Sequence, residues 1–258
     1  MKEFDGLKGS RVLITGGTKG VGKGIADCFL EHGSKVLVCG RHRPETLARK
    51  GGQEAQFLSC DIRDFSECER LIRATVEAFG GLDVLINNAG GSPFAAANKA
   101  SPRFSEAIIR LNLLAPLNLA QLANAVMQEQ ETGGTIINIS SVSGTRPSPG
   151  TAAYGAAKAG LNNLTETLGV EWAPKVRVNS IIAGLIQTEQ SHLHYGDQKG
   201  IERVAQTIPM GRMGLPQDIG QACLFLASPL ASYMSGSNLT LHGAGERPAF
   251  LTATEKES

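Results

Sequence analysis

Residues 151–160 read TAAYGAAKAG, and Tyr154 and Lys158 are the only long polar side chains in a run of small residues. Four positions apart on a helix, they share a face, and their small neighbours let a ligand lie against it. A phenol that ionises near pH 10 is a weak acid–base group at neutral pH. A nearby ammonium favours the phenolate and lowers that value, and Lys158 stands one turn on. The pair has the makings of a proton donor and acceptor. Taken alone it also has a plainer reading, an exposed helix pair.

A second stretch, TGGTKGVG (15–22), places Gly16, Gly20 and Gly22 between an apolar run and a helical pattern. Glycines let backbone N–H groups approach an anion, and the following helix adds its dipole. A pyrophosphate is the natural occupant; a tight turn without a ligand is the alternative. A dinucleotide makes a further demand. An acidic residue after the second strand suits the ribose 2′-OH of NAD, whereas an arginine suits the 2′-phosphate of NADP. Here the second run ends VLVCGRHR, which offers Gly40 and Arg41 and no carboxylate. Arg41 can fork onto a phosphate and Lys19 can add a point charge. NADP(H) is therefore expected ahead of NAD(H), unless Arg41–Arg43 is only a solvated loop.

The elements that must hold these groups are legible as short apolar runs at 11–15, 35–39, 55–60, 83–87, 134–140 and 176–182, with a seventh at 238–242. They are rich in β-branched residues and bounded by Gly, Asn, Asp or Ser. Helical patterns fill 20–32, 64–79, 103–130, 152–172 and 217–227. Alternating β and α predicts an α/β fold, a doubly wound parallel sheet of about seven strands with helices on both faces, and continuous apolar strands agree with burial on both sides. No linker or repeat divides the chain, so one domain over 1–258 is expected. The polar stretch 188–200 carries no strand signal, and 248–258 reads as a loose tail.

Bulk properties narrow the function. The net charge is +1 over 258 residues, with no basic face to suggest nucleic acid. No apolar run reaches the length of a membrane span, and the N-terminus has no secretory h-region. Five cysteines, an odd number without C-x-x-C spacing, point to neither a disulfide framework nor a zinc site and to a cytoplasmic location. His192 and His194, two apart, lack same-face helical spacing, so no metal site is expected. Met210 and Met213 read as core or lid contacts.

Together these stretches resemble the short-chain dehydrogenase/reductases in their short, single-domain form. The likeness runs from about residue 8 to 246 and rests on TGGTKGVG (15–22), CDIRD (60–64), NNAG (87–90), Asn112 in RLNLLAP, Ser141 in NISSVSG, YGAAK (154–158) and VRVNSIIAGLIQT (176–188). It departs from the family at Ala183-Gly184, where Pro-Gly is usual, and at LHGAG (241–245), usually an acidic DGG.

The resemblance implies a Rossmann fold and hydride transfer between nicotinamide and a carbonyl or secondary alcohol. Tyr154 would be the general acid or base. Lys158 would also bind the ribose hydroxyls, Ser141 would donate to the substrate oxygen, and Asn112 would hold a water linked to Lys158. Gly16, Thr18, Lys19, Gly20, Val21 and Gly22 would face the pyrophosphate, and Arg41 the 2′-phosphate. Asp61 and Ile62 would flank the adenine. Asn88, Ala89 and Gly90 would touch the cofactor, and Gly184, Ile186 and Thr188 would lie at its carboxamide end. It further implies a homotetramer, with a dimer as the fallback, pairing through 103–130 and 152–172.

The substrate would be a small molecule, met by 91–97, 142–148 and 189–212, with Phe94, Leu193, Tyr195 and Ile208 among the lining residues. A 3-oxoacyl carrier-protein reductase is the second enzyme reading, with Arg103, Arg110 and Arg146 as docking candidates. A nucleotide-binding regulator without turnover is a third, weakened by the presence of Ser141, Tyr154 and Lys158.

Overall fold

Valine, isoleucine and leucine alternate between two helix layers along each central strand. In β1 (Arg11–Thr15), Val12 and Ile14 face one layer and Leu13 the other. A strand buried on both faces has no polar side to show, which is why these runs read as continuously apolar. The computed structural model describes residues 5–248.

Beside β1 lie β2 (Lys35–Gly40), β3 (Gln56–Ser59), β4 (Val84–Asn87), β5 (Gly134–Ser141), β6 (Val176–Ala183) and β7 (Asn238–Leu241). Their order is β3-β2-β1-β4-β5-β6-β7 and every pair is parallel. The strand order reverses between β1 and β4. That switch point opens a crevice at the strand C-terminal ends, where open α/β sheets bind ligands.

One layer holds α1 (Gly20–Glu31) and α7 (Pro216–Ala227), whose Ile25, Phe29, Ile219 and Cys223 pack on Val12, Val38 and Ile86. The other holds α2 (Phe65–Phe79), α4 (Ala115–Glu129) and α5 (Ala152–Glu171). There Leu71, Leu119, Met127 and Leu168 pack on Leu13, Leu85 and Val178. Asp64 starts α2 by accepting the Ser66 N–H at 2.9 Å, and Gly80, with φ +80°, ends it.

Three features depart from the expected elements. The helix expected over 103–130 is broken into α3 (Pro102–Ile109) and α4 by a π-helical turn, Arg110–Leu114, around Asn112. The polar stretch after β6 holds a single helical turn, His192–Tyr195, and then α6 (Gln198–Gln206), which Asp197 caps by accepting the Gly200 N–H. Arg49–Lys50 and Gln53–Glu54 form a small antiparallel hairpin. The tail expected to be loose lies, beyond Pro248, outside the described residues. All five cysteines are buried free thiols.

Candidate active site

The turn after β1 is built for an anion. Gly16 and Gly20 have φ of +65° and +52°, where a side chain would be strained. A Cβ on Gly22 would come within 2.3 Å of the Gly16 carbonyl oxygen, so the helix can approach the strand this closely only as glycine. Lys19 precedes α1 in extended conformation and its side chain caps nothing, nor is there an acid in the helix's first turn. The first N–H groups of α1 are thus left for a ligand or another segment. These residues fit a dinucleotide diphosphate. Val21 packs against the core, and Thr18 lies beside Gly40, at the end of β2 next to Arg41.

Thr15 closes β1 and ties this turn to NNAG. Its hydroxyl oxygen accepts the N–H groups of Asn88 and Ala89, each at 3.0 Å. The Asn88 amide donates to the carbonyls of Thr15 (2.8 Å) and Gly16 (3.2 Å). Asn88 therefore shapes the crevice wall with its side chain. Gly90 is the close approach: a Cβ there would lie 2.6 Å from Asn112 Oδ1 and 3.4 Å from Lys158 Nζ. Asn112 is fully buried. Its oxygen accepts the Gly91 N–H at 2.8 Å, and its amide donates to the carbonyls of Gly91 (3.0 Å) and Ile108 (2.9 Å). The π turn is what lets one asparagine serve both its own helix and the loop after β4.

Ser141, Tyr154 and Lys158 come together as the spacing predicts. Ser141 ends β5, its hydroxyl oxygen accepts the Ser143 N–H at 3.2 Å, and it stands near enough to the Tyr154 phenol to pull that group's pKa down. The chain after it runs hard against α5. Virtual Cβ atoms on Gly144 and Gly155 would meet the backbone of Lys158 and Ala159 at 2.7 Å and the Ser143 carbonyl at 2.9 Å. The small residues around the pair thus admit the protein's own loop as well as leaving room for a ligand.

Lys158 is 3% exposed. Its Nζ donates to the Ile139 carbonyl at 2.8 Å and lies 5.6 Å from the centroid of the Tyr154 ring. Burial lowers the ammonium's pKa to about 8. Burial also pushes the Tyr154 phenol above its ordinary value, against the hydrogen bond from Ser141, which lowers it. The expectation that Lys158 depresses the phenol is not met in this arrangement: desolvation is the largest influence on the phenol and favours its protonated form.

Beyond Arg41 a cavity of about 1070 Å³ is lined by Arg41, Ser59, Asp61 and Arg63 on one side and by Arg103 of α3 and Arg110 of the π turn on the other. Asp61 is gripped by Arg63, whose Nε and Nη2 donate to the carboxylate at 2.9 and 2.5 Å, and this holds its pKa below the usual range. Arg63 was not among the sequence candidates; its position two residues after an acid at a strand end was the available signal. The Ile62 side chain is turned into the core, beside Asp61 rather than in the cavity wall.

At the opposite end, Gly184 packs within contact of His242, where a Cβ would lie 2.6 Å from the His242 Cβ. Ile186 bridges to Gly214. The Thr188 N–H donates to Ser191 Oγ at 2.8 Å. The half-buried Tyr195 stands near enough to Tyr154 to act on it electrostatically. Arg146 pairs with Glu246 at 2.6 Å. Phe94 and Leu193 are exposed, but Ile208 is 3% exposed and belongs to the core, so it lines no substrate surface. Met213 is buried and Met210 exposed. His192 Nδ1 lies 3.0 Å from the Glu189 carbonyl oxygen.

Comparison with known proteins gives the same assignment. Residues 16–243 match the family model described as enoyl-(acyl carrier protein) reductase. The chain is 34% identical to a 3α-hydroxysteroid dehydrogenase of Mediterraneibacter gnavus, over 92% of this chain and 97% of that one. It is 33% identical to the 3-oxoacyl-[acyl-carrier-protein] reductase FabG of Vibrio cholerae, with the same coverage. Among solved structures, the aldohexose dehydrogenase of Thermoplasma acidophilum superposes with a TM-score of 0.86 at 28% identity, covering 99% of this chain and 98% of that one. With the glycine turn, the Ser141–Tyr154–Lys158 cluster and these full-length likenesses in hand, the chain belongs to the short-chain dehydrogenase/reductase family of NAD(P)(H)-dependent oxidoreductases.

Proposed function

We propose that the protein is an NADP(H)-dependent oxidoreductase acting on a carbonyl or secondary alcohol, with cofactor and substrate held by one domain. The observation that carries this reading is the nearness of Ser141 to the Tyr154 phenol, with the ammonium of the buried Lys158 5.6 Å from the phenol ring. Two hydroxyls close together suit a substrate oxygen. The nicotinamide, when bound, supplies or accepts the hydride. Tyr154 donates a proton to the oxygen in reduction and takes one in oxidation, and its raised pKa keeps that proton in place at neutral pH. Ser141 holds the same oxygen. Lys158 offers its ammonium to the ribose side, and Asn112 fixes the loop that forms the crevice wall.

NADP(H) preference rests on Arg41 at the cavity rim, with no carboxylate at the end of β2. Losing a charge-assisted phosphate contact costs about 1.5–3 kcal/mol, roughly tenfold to a hundredfold in affinity. Titration of both cofactors should show the wild type favouring NADPH and Arg41→Ala losing that preference. Tighter NADH binding by the wild type would reverse the assignment.

The carrier-protein reductase is the second reading, favoured by the Vibrio cholerae relative. Its docking candidates do not act as one surface, because Arg146 is paired with Glu246 whereas Arg103 and Arg110 line the cavity. The exposed Phe94 and Leu193 suit a substrate with an apolar body. Assaying small apolar ketones against an acyl carrier thioester separates the two. A homotetramer in a reducing, cytoplasmic setting completes the proposal; buried free thiols accord with that compartment.

A further inference from the structure

The N-terminus of α1 has neither a capping side chain nor an acid of its own, yet it carries a carboxylate. Glu189, 169 residues away in sequence, accepts the Gly20 N–H through Oε1 at 3.0 Å. The neighbouring Thr188 packs on the same glycine, its Cγ2 3.5 Å from where a Gly20 Cβ would stand. An anion from the chain itself is thus seated on the turn that the proposed function gives to the cofactor diphosphate.

The segment carrying Glu189 is fixed at its base and bent just beyond. The Gln187 N–H donates to the Gly214 carbonyl at 2.8 Å, and Gly214 returns a bond to Leu185 at 2.9 Å. After that anchor, Thr188–Ser191 closes a turn, with the Ser191 N–H on the Thr188 carbonyl at 3.0 Å and the Thr188 N–H on Ser191 Oγ at 2.8 Å. The strap then passes through His192–Tyr195, where Tyr195 comes near enough to Tyr154 to act on it electrostatically, into α6.

We propose that Glu189 is an internal latch. Its carboxylate holds the strap 188–206 onto the diphosphate turn and competes with the cofactor diphosphate for the Gly20 N–H. Two anions cannot share that donor in a field that favours only one. Cofactor arrival therefore displaces Glu189 and frees the strap that carries Thr188 and Tyr195 toward the substrate side. The diphosphate turn and the substrate mouth become coupled through one side chain, and the cofactor's apparent affinity is reduced by the fraction of molecules that are latched.

This inference rests on the oxidoreductase reading, and the test separates the two. Dissociation constants for NADP⁺ and NADPH are measured by fluorescence titration on the full chain and on Glu189→Gln and Glu189→Ala. Amide exchange of 188–206 is followed in each protein with and without nucleotide. Both variants should bind about two- to fivefold more tightly, the range for one anion at a helix N-terminus. Their strap should exchange faster than wild type without nucleotide and equally with it. Unchanged or weaker nucleotide binding in the variants, or identical exchange in all three proteins, overturns the latch while leaving the oxidoreductase reading intact. If no protein binds a nicotinamide nucleotide, the oxidoreductase reading fails and takes the latch with it.

Discussion

Lys158 is held at a cost to the fold. Burial strips water from its ammonium and brings its pKa to about 8, against the ordinary 10.5 that the unfolded chain keeps. Between these values the unfolded state binds more protons than the folded one, so stability rises with pH through that window and stays at its lower level below pH 8. Lys158→Met removes the charge and loses one hydrogen bond to Ile139. The variant should be more stable than wild type at pH 7 by about 1–2 kcal/mol, with the gap narrowing toward pH 10, while nucleotide binding and turnover both suffer. Urea melts at pH 7 and pH 9.5 check this; a variant less stable at pH 7 would show that Lys158 supports the fold. Tyr154 follows the same physics with the opposite sign. Desolvation disfavours its phenolate, so the phenol is an acid first. Spacing alone placed Lys158 beside Tyr154 but could not weigh desolvation against charge, because burial on both sides is a property of the assembled site.

The crevice wall depends on the π turn between α3 and α4. Asn112→Ala would strip the Gly91 N–H and the carbonyls of Gly91 and Ile108 of their partner in a buried place. A loss of about 1–3 kcal/mol is expected, with weaker nucleotide binding because the loop beside Gly90 is released. Chemical denaturation and titration measure both; unaltered stability would mean that the loop is held elsewhere. The strands were legible to within a residue or two because burial on both faces makes runs such as VLIT and TIINIS mostly apolar and free of charge. The π turn was not, since Leu111, Leu113 and Leu114 continue an ordinary helical pattern across it. Nor was α6, where Gly196 just ahead of it, Gly200 within it and a polar composition carry no clear helical pattern. Its signal was Asp197, a capping residue ahead of Ile201 and Val204. The contact of Glu189 with Gly20 joins positions far apart in sequence, which no local pattern carries.

For the molecule as a whole, several apolar side chains remain uncovered in one chain, among them Leu114 and Val170 at 41% and 80% exposure on the elements expected to pair. Light scattering at micromolar protein should report four times 27.2 kDa, and a monomer would reject the assembly. The sheet order and its switch point follow from strand and helix alternation. Which small molecule enters the mouth does not, because Phe94 comes from a loop and Leu193 and Tyr195 from a single helical turn whose placement local patterning leaves open.

The central claim is that this fold serves one proton donor, Tyr154, in an NADP(H)-dependent reaction. The direct measurement is NADPH consumption with carbonyl substrates, run beside nucleotide titration, on wild type and Tyr154→Phe. The account predicts that the variant keeps cofactor affinity, since the diphosphate and adenosine contacts lie elsewhere, and loses turnover by about 10²–10⁴. Lowered cofactor affinity with turnover intact would contradict it, making Tyr154 a binding residue and some other group the acid.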